Sequence, residues 1–160
     1  MQAKRGFTLV EILIVVVILG ILAAIVIPQF TQASSEAKLN SLTSNLQSIR
    51  SQVELFKTQH DNEMIPAPAA DGTWPLMTET SSRAGVASGT KVRDNTSVCG
   101  PYLERVPENP FNGLNTVTEV AAKAAADGAS GWCIVTGTGE VYANNTGTIP
   151  GDDTVSFDDL

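Results

Sequence analysis

A chain of 160 residues suits one compact domain with an accessory element and does not require two domains. Its formal net charge of −7, from 17 acidic against 10 basic side chains, excludes an electrostatic nucleic-acid binder, because no basic stripe could neutralise phosphates. Strong hydrophobicity lies almost wholly before Pro28, and the remainder reads as an ordinary polar protein.

The chain opens Met1-Gln2-Ala3-Lys4-Arg5-Gly6 and turns apolar at Phe7, with no charged or strongly polar residue from Ile12 to Ile27. As a helix, the stretch from Phe7 to Ile27 is about 31 Å long, enough to span the hydrocarbon core of a bilayer. Lys4 and Arg5 precede it, so the positive-inside tendency keeps the N-terminus cytoplasmic and exports the rest of the chain. A secretory signal peptide would need a shorter apolar core and a small-x-small cleavage site, which Ile25-Val26-Ile27-Pro28-Gln29-Phe30 does not offer. A simple signal anchor leaves Glu11 unexplained, since a carboxylate at membrane depth costs roughly 2.5–3.5 kcal/mol or more. A cut between Gly6 and Phe7 would supply a partner. The new α-amino group on Phe7 would lie four residues, about one helical turn, before Glu11.

Gly6-Phe7-Thr8-Leu9-Val10-Glu11, after a short basic leader and before a long apolar helix, resembles the prepilin cleavage and methylation motif of type IV pilins and type II secretion pseudopilins. The resemblance implies a leader at residues 1–6, removed after Gly6 by a prepilin peptidase that then N-methylates Phe7. It also implies that Glu11 pairs with the Phe7 amine of an adjacent subunit, and that the helix over residues 7–28 drives polymerisation in a helical homo-oligomer. Gly20 and Pro28 stand where the family's helix kinks or loosens; Gly weakens a helix and Pro28 removes a backbone hydrogen bond.

Beyond Pro28, an amphipathic continuation over residues 29–62 keeps helical periodicity. Ala33 and Ala37 lead into Leu42, Leu46, Ile49, Val53, Phe56 and His60, one narrow apolar stripe for packing against a single domain face. Ser34, Ser35, Asn40, Ser41, Thr43, Ser44 and Asn45 weaken the intrinsic propensity, so tertiary packing must hold the helix. Running from about Thr8 to about Asp61, it would be roughly 80 Å long. His60, the only histidine, reads as a packing or capping residue.

Residues 63–160 form the C-terminal domain. Pro66-Ala67-Pro68 ends the helix, and Ala69 to Ser97 reads mainly as loop with a short helix near Trp74 to Thr80. The proline-punctuated run from Gly100 to Phe111 predicts an ordered, packed loop. Glu119 to Asp127 is alanine-rich, suiting a short helix or a mobile loop, with Gly128 as a C-cap. Gly131 to Thr136 and Glu140 to Asn144 predict two strands around Gly137-Thr138-Gly139. Cys99 and Cys133 show no C-x-x-C spacing, and export across a membrane makes an oxidised pair the expected state. The thin core should pack on the helix stripe, giving an α+β architecture: a long N-terminal helix, its first half transmembrane, supporting a small antiparallel sheet of three or four strands.

The helix end from Ser48 to His60, the Pro-Tyr-Leu to Pro-Phe stretch at 101–111 and the Gly131–Asn144 hairpin resemble the major pseudopilins of type II secretion, the G subunits. This likeness implies a single-pass protein of the bacterial inner membrane, with its C-terminal domain periplasmic. Its implied partners are membrane lipid, prepilin peptidase, an inner-membrane assembly platform and minor pseudopilins or pilins. It also implies a calcium site, for which Asp127, Asp152 and Asp153 could supply hard oxygen ligands; solvated surface acids are the competing reading. The cysteine pair is closer to the disulfide habit of true pilins, which keeps a surface pilus for adhesion, motility or DNA uptake in competition.

No catalytic constellation emerges. His-Glu-x-x-His is absent, and Gly85 to Lys91 lacks the Gly-Lys-Ser/Thr adjacency of a phosphate loop. The sequence thus predicts a structural filament subunit and no enzyme. A signal-anchored periplasmic binding protein is the further alternative, one that would not explain Gly6-Phe7 with Glu11.

Overall fold

The computed structural model describes residues 6–60, 65–123, 127–150 and 152–160. It divides into two compact units, Met1–Ala37 and Lys38–Leu160. A single helix, α1 (Leu9–Gln59, 51 residues), contributes to both and passes through Pro28 without interruption.

Among the described residues of the first unit, α1 is the sole element. Its large apolar side chains from Phe7 to Phe30 are all more than half exposed, the surface expected of a segment whose solvent is lipid or a neighbouring helix. In the second unit the periodic stripe acts as the sequence predicts: Leu42, Leu46, Ile49, Val53 and Phe56 are buried, and each burial contributes about 1.5–3 kcal/mol. Ala33 and Ala37, expected to open the stripe, remain exposed. His60 closes it, 1 % exposed and stacked on Phe56 at 3.9 Å, one helical turn back. The predicted helix end near Asp61 comes slightly earlier, at Gln59, and residues 61–64 lie outside the described residues.

Against the stripe packs a three-stranded sheet of β1 (Val117–Val120), β2 (Trp132–Val135) and β3 (Val141–Ala143), in that order. The predicted hairpin is β2–β3, antiparallel, with Trp132 opposite Ala143 and Ile134 opposite Val141. The sheet is nevertheless mixed, not antiparallel as expected, because β1 pairs with β2 in parallel. The long connection over residues 121–131 accounts for this, since a parallel neighbour needs a crossover that a tight turn cannot provide. Glu119 and Val120, read from sequence as the start of a helix or mobile loop, belong to β1; β-branched neighbours and strand pairing outweigh the propensity of the alanines that come after them. Residues 124–126 of that alanine-rich stretch lie outside the described residues.

Strand alternation divides the sheet into two faces. Trp132, Ile134, Val141 and Ala143 join the helix stripe in the main core with Val117, Trp74, Met77 and Tyr102. Cys133, Val135 and Tyr142 point the other way and form a second buried cluster with Val120 against it. A two-stranded antiparallel ribbon, β4 (Thr148–Ile149) with β5 (Asp152–Ser156), then leads to a 3₁₀ turn at Phe157–Asp159. Phe157 returns to the core, edge-on to Phe111 at 4.7 Å. The short helix predicted near Trp74 is α2 (Pro75–Thr78).

Candidate functional site at the start of the N-terminal helix

Thr8 precedes the first helical residue and serves as the N-cap of α1. Its backbone N–H donates to Glu11 Oε2 at 2.7 Å and its hydroxyl to the same oxygen at 2.8 Å. In return the Glu11 N–H donates to Thr8 Oγ1 at 3.2 Å. This reciprocal Thr-x-x-Glu arrangement is a capping box, which satisfies N–H groups that a helix start otherwise leaves without partners. The helix dipole adds to it by favouring negative charge in the first turn.

The carboxylate that sequence reasoning singles out as foreign to an apolar helix is thus held by two donors of its own chain. Thr8 is the functional residue that sequence reasoning misses, although Ser/Thr with Glu three positions later, before an apolar run, is a readable signature. Gly6 and Phe7 lie immediately outside the helix, and Phe7 is 83 % exposed. The scissile bond expected between them is therefore sterically open, while Lys4 and Arg5 lie outside the described residues. Gly20 has open space around the position a Cβ would occupy, so its role is not to relieve a clash within the chain. Pro28 leaves the Ala24 carbonyl without its helical donor, and the Thr31 hydroxyl donates to the Ile27 carbonyl at 3.1 Å. The apolar window of α1 is long enough to cross a membrane and carries no burial within the protein.

The other site residues predicted from sequence are not brought together. Cys99 and Cys133 are free thiols, correcting the expected disulfide. The reason is register: Cys99 belongs to the main core, whereas Cys133 falls on the opposite face of β2. Burial pushes the Cys133 thiol above its ordinary value, so it remains protonated and unreactive. Asp127 Oδ1 accepts from the Ala129 N–H at 2.9 Å and from Asn144 Nδ2 at 2.7 Å, a turn-forming role in which its oxygen already has donors. Asp152 and Asp153 lie in β5, and among the described residues no group of acidic, imidazole or thiol side chains could hold a metal ion.

Comparison with known proteins places the helix start in a family. Residues 1–27 match the prokaryotic N-terminal methylation motif. The chain is 30 % identical over 111 residues to the type II secretion system core protein G of Klebsiella pneumoniae, covering 69 % of this chain and 71 % of that protein. It is 42 % identical over 110 residues to the core protein G of Pseudomonas aeruginosa, covering 69 % and 70 %. The type IV major pilin protein PilA of Myxococcus xanthus is 31 % identical over 143 residues, covering 81 % of this chain and 62 % of that pilin. No solved structure matches significantly. With the N-terminal motif, the long apolar helix and these relatives in agreement, the chain belongs to the type IV pilin-like family, together with the core proteins G of type II secretion systems.

Proposed function

We propose that this chain is the repeating structural subunit of a type II secretion pseudopilus. The carrying observation is the capped, apolar and wholly unpacked first half of α1, with a single carboxylate in its first turn. Such a helix is of little use to a free soluble protein and suits a subunit that leaves the membrane only into a bundle of its own kind. A prepilin peptidase cuts after Gly6 and methylates Phe7, and Glu11 then meets the Phe7 amine of a neighbouring subunit. The N-terminus faces the cytoplasm and residues from Lys38 onward lie in the periplasm. An assembly platform in the inner membrane and minor subunits complete the system. The role is structural and not enzymatic. Relatives named as core protein G at up to 42 % identity support the secretion reading.

A second reading, a surface type IV pilin, is favoured by one specific observation. The PilA match extends over 81 % of this chain against 69 % for the core protein G matches. A deletion strain assayed in parallel for release of folded exoproteins and for surface fibres separates the two. Loss of secretion with fibres intact supports the pseudopilus; the reverse result overturns it in favour of the pilus. Intact mass of the membrane protein tests the processing step, because a chain beginning at Met1 would overturn it.

A further inference from the structure

We infer that the segment 80–100 is a cationic, valine-bearing docking surface for carboxylate-bearing surface on a second copy of this chain. The inference rests on the filament reading and adds to it where on the C-terminal unit the next subunit is gripped.

Large apolar side chains exposed outside the apolar part of α1 are few among the described residues: Leu55, Val86, Val92 and Val98. Three of these four belong to this one segment, with Val86 66 % and Val92 71 % exposed. Interleaved with them are Arg83, Lys91 and Arg93, and among the described residues none of the three forms an ion pair. Arg83 and Arg93 line one cleft together with Val98, Thr58 and Gln59.

The segment is a built platform. The Thr80 N–H donates to the Thr90 carbonyl at 2.8 Å, and Ser81 bridges both Ala87 and Cys99. Two carboxylates sit on it and both are engaged: Asp94 by the Thr96 and Ser97 N–H groups, and Glu79, just before the segment, by the Gly89 N–H at 2.9 Å. Arg93 is held through Nε on the Gly100 carbonyl at 2.7 Å, which fixes where its guanidinium stands. A pre-ordered set of cations and apolar side chains lowers the entropy cost of association.

Charge selects the occupant. Segment 80–100 carries three cations against one acid, a net +2, on a chain of −7 that becomes −9 once Lys4 and Arg5 leave with the leader. The remainder of the processed chain therefore carries −11, being −9 less the segment's +2. A cationic patch cannot face its own copy, because like charges would meet. Its complement is carboxylate-bearing surface elsewhere on an identical subunit, a heterologous contact. Contacts of that kind, when they do not close into a ring, generate open helical arrays.

The test uses the full-length protein in membranes, with two differently tagged copies co-expressed. Cys99 and Cys133 are buried, so Val92→Cys, placed in one of the two tagged copies, offers a selectively accessible thiol for a maleimide-linked benzophenone, which on irradiation couples to whichever chain lies against it. Cross-links joining the two tags are expected. Arg83→Glu with Arg93→Glu should lower their yield about tenfold, as should about 1 M salt, while Arg83→Lys with Arg93→Lys preserves it. Because Arg93 also supports Gly100, Arg83→Glu alone serves as the variant that leaves the segment folded. Sheared filaments are collected from the same cells. Filaments without Val92 cross-links between tags, or cross-links to a different protein, overturn the surface and leave the filament reading standing. Absence of filaments from the unmutated chain overturns both.

Discussion

The Asn144 side chain accepts from the N–H groups of Asp127 and Gly128, at 2.9 and 3.1 Å, and donates to Asp127 Oδ1 and Ser130 Oγ. Beside it Asn112 donates to the Ser130 and Asn144 carbonyls, and Asn109 to the Gly131 carbonyl and to Asn145 Oδ1. These amides replace a backbone ladder where the chain is irregular. Asn144→Ala should therefore cost about 1–3 kcal/mol, since it leaves donors without partners in a buried setting. Urea unfolding of the purified protein in detergent would measure it, and an unchanged midpoint would refute the role. A second residue-scale effect concerns acid. The Ser97 N–H, and after it the Thr96 hydroxyl and N–H, hold the Asp94 carboxyl below the usual carboxylate range. A depressed folded value stabilises above the unfolded pKa of about 3.9 and is lost as pH falls through the folded one. Asp94→Asn should thus lower stability at pH 7 and converge with the unmutated chain well below about pH 4, a flatter acid limb that urea unfolding across pH would read, and an equal offset at all pH values would refute it. None of this asparagine network is legible in sequence, because its partners are 14 to 36 positions apart and asparagine in loops is common.

At the scale of elements, helix periodicity transmits directly into burial. Phe56 is fully buried and Leu55, its neighbour, is 42 % exposed. Phe56→Ala should cost about 3–5 kcal/mol, including the loss of stacking with His60, against about 0.5 kcal/mol or less for Leu55→Ala. Thermal unfolding of the two variants side by side tests the stripe, and equal effects would refute it. Gly131 is a sharper case. A Cβ there would collide with the Leu114 carbonyl, so Gly131→Ala must push apart the 109–114 turn and the start of β2. The α1 stripe, α2 and the β2–β3 hairpin are readable because each depends on local period or turn chemistry. The parallel pairing of β1 is not, since strand order is set by non-local contact and the alanine-rich sequence points elsewhere. The two cysteines show the same limit: spacing in sequence says nothing about which face of β2 holds Cys133.

For the whole molecule the decisive residue carries two duties that one substitution can separate. Glu11 caps its own helix through Thr8, and under the filament reading it also attracts the positive amine of a neighbour. Glu11→Gln keeps an oxygen that can accept from the Thr8 N–H, so the capping box survives in weakened form and the helix still starts at Leu9. It removes the negative charge, and with it the force that draws the Phe7 amine into an apolar surround. Glu11→Gln should therefore insert in the membrane and lose its leader normally, yet form at least about tenfold fewer filaments, about 1.4 kcal/mol at the assembly step. Thr8→Ala has the converse signature: it removes the hydroxyl cap at a cost of about 1 kcal/mol while leaving the charge in place, so assembly should fall far less. Intact mass of the membrane fraction reads processing, and the yield of sheared filaments reads assembly. Filament yields that drop equally in the two variants would place the importance of Glu11 in helix capping. A drop confined to Glu11→Gln would place it in the charge, because a capped helix start that lacks only a carboxylate still has everything an anchor needs and lacks what a neighbouring amine requires.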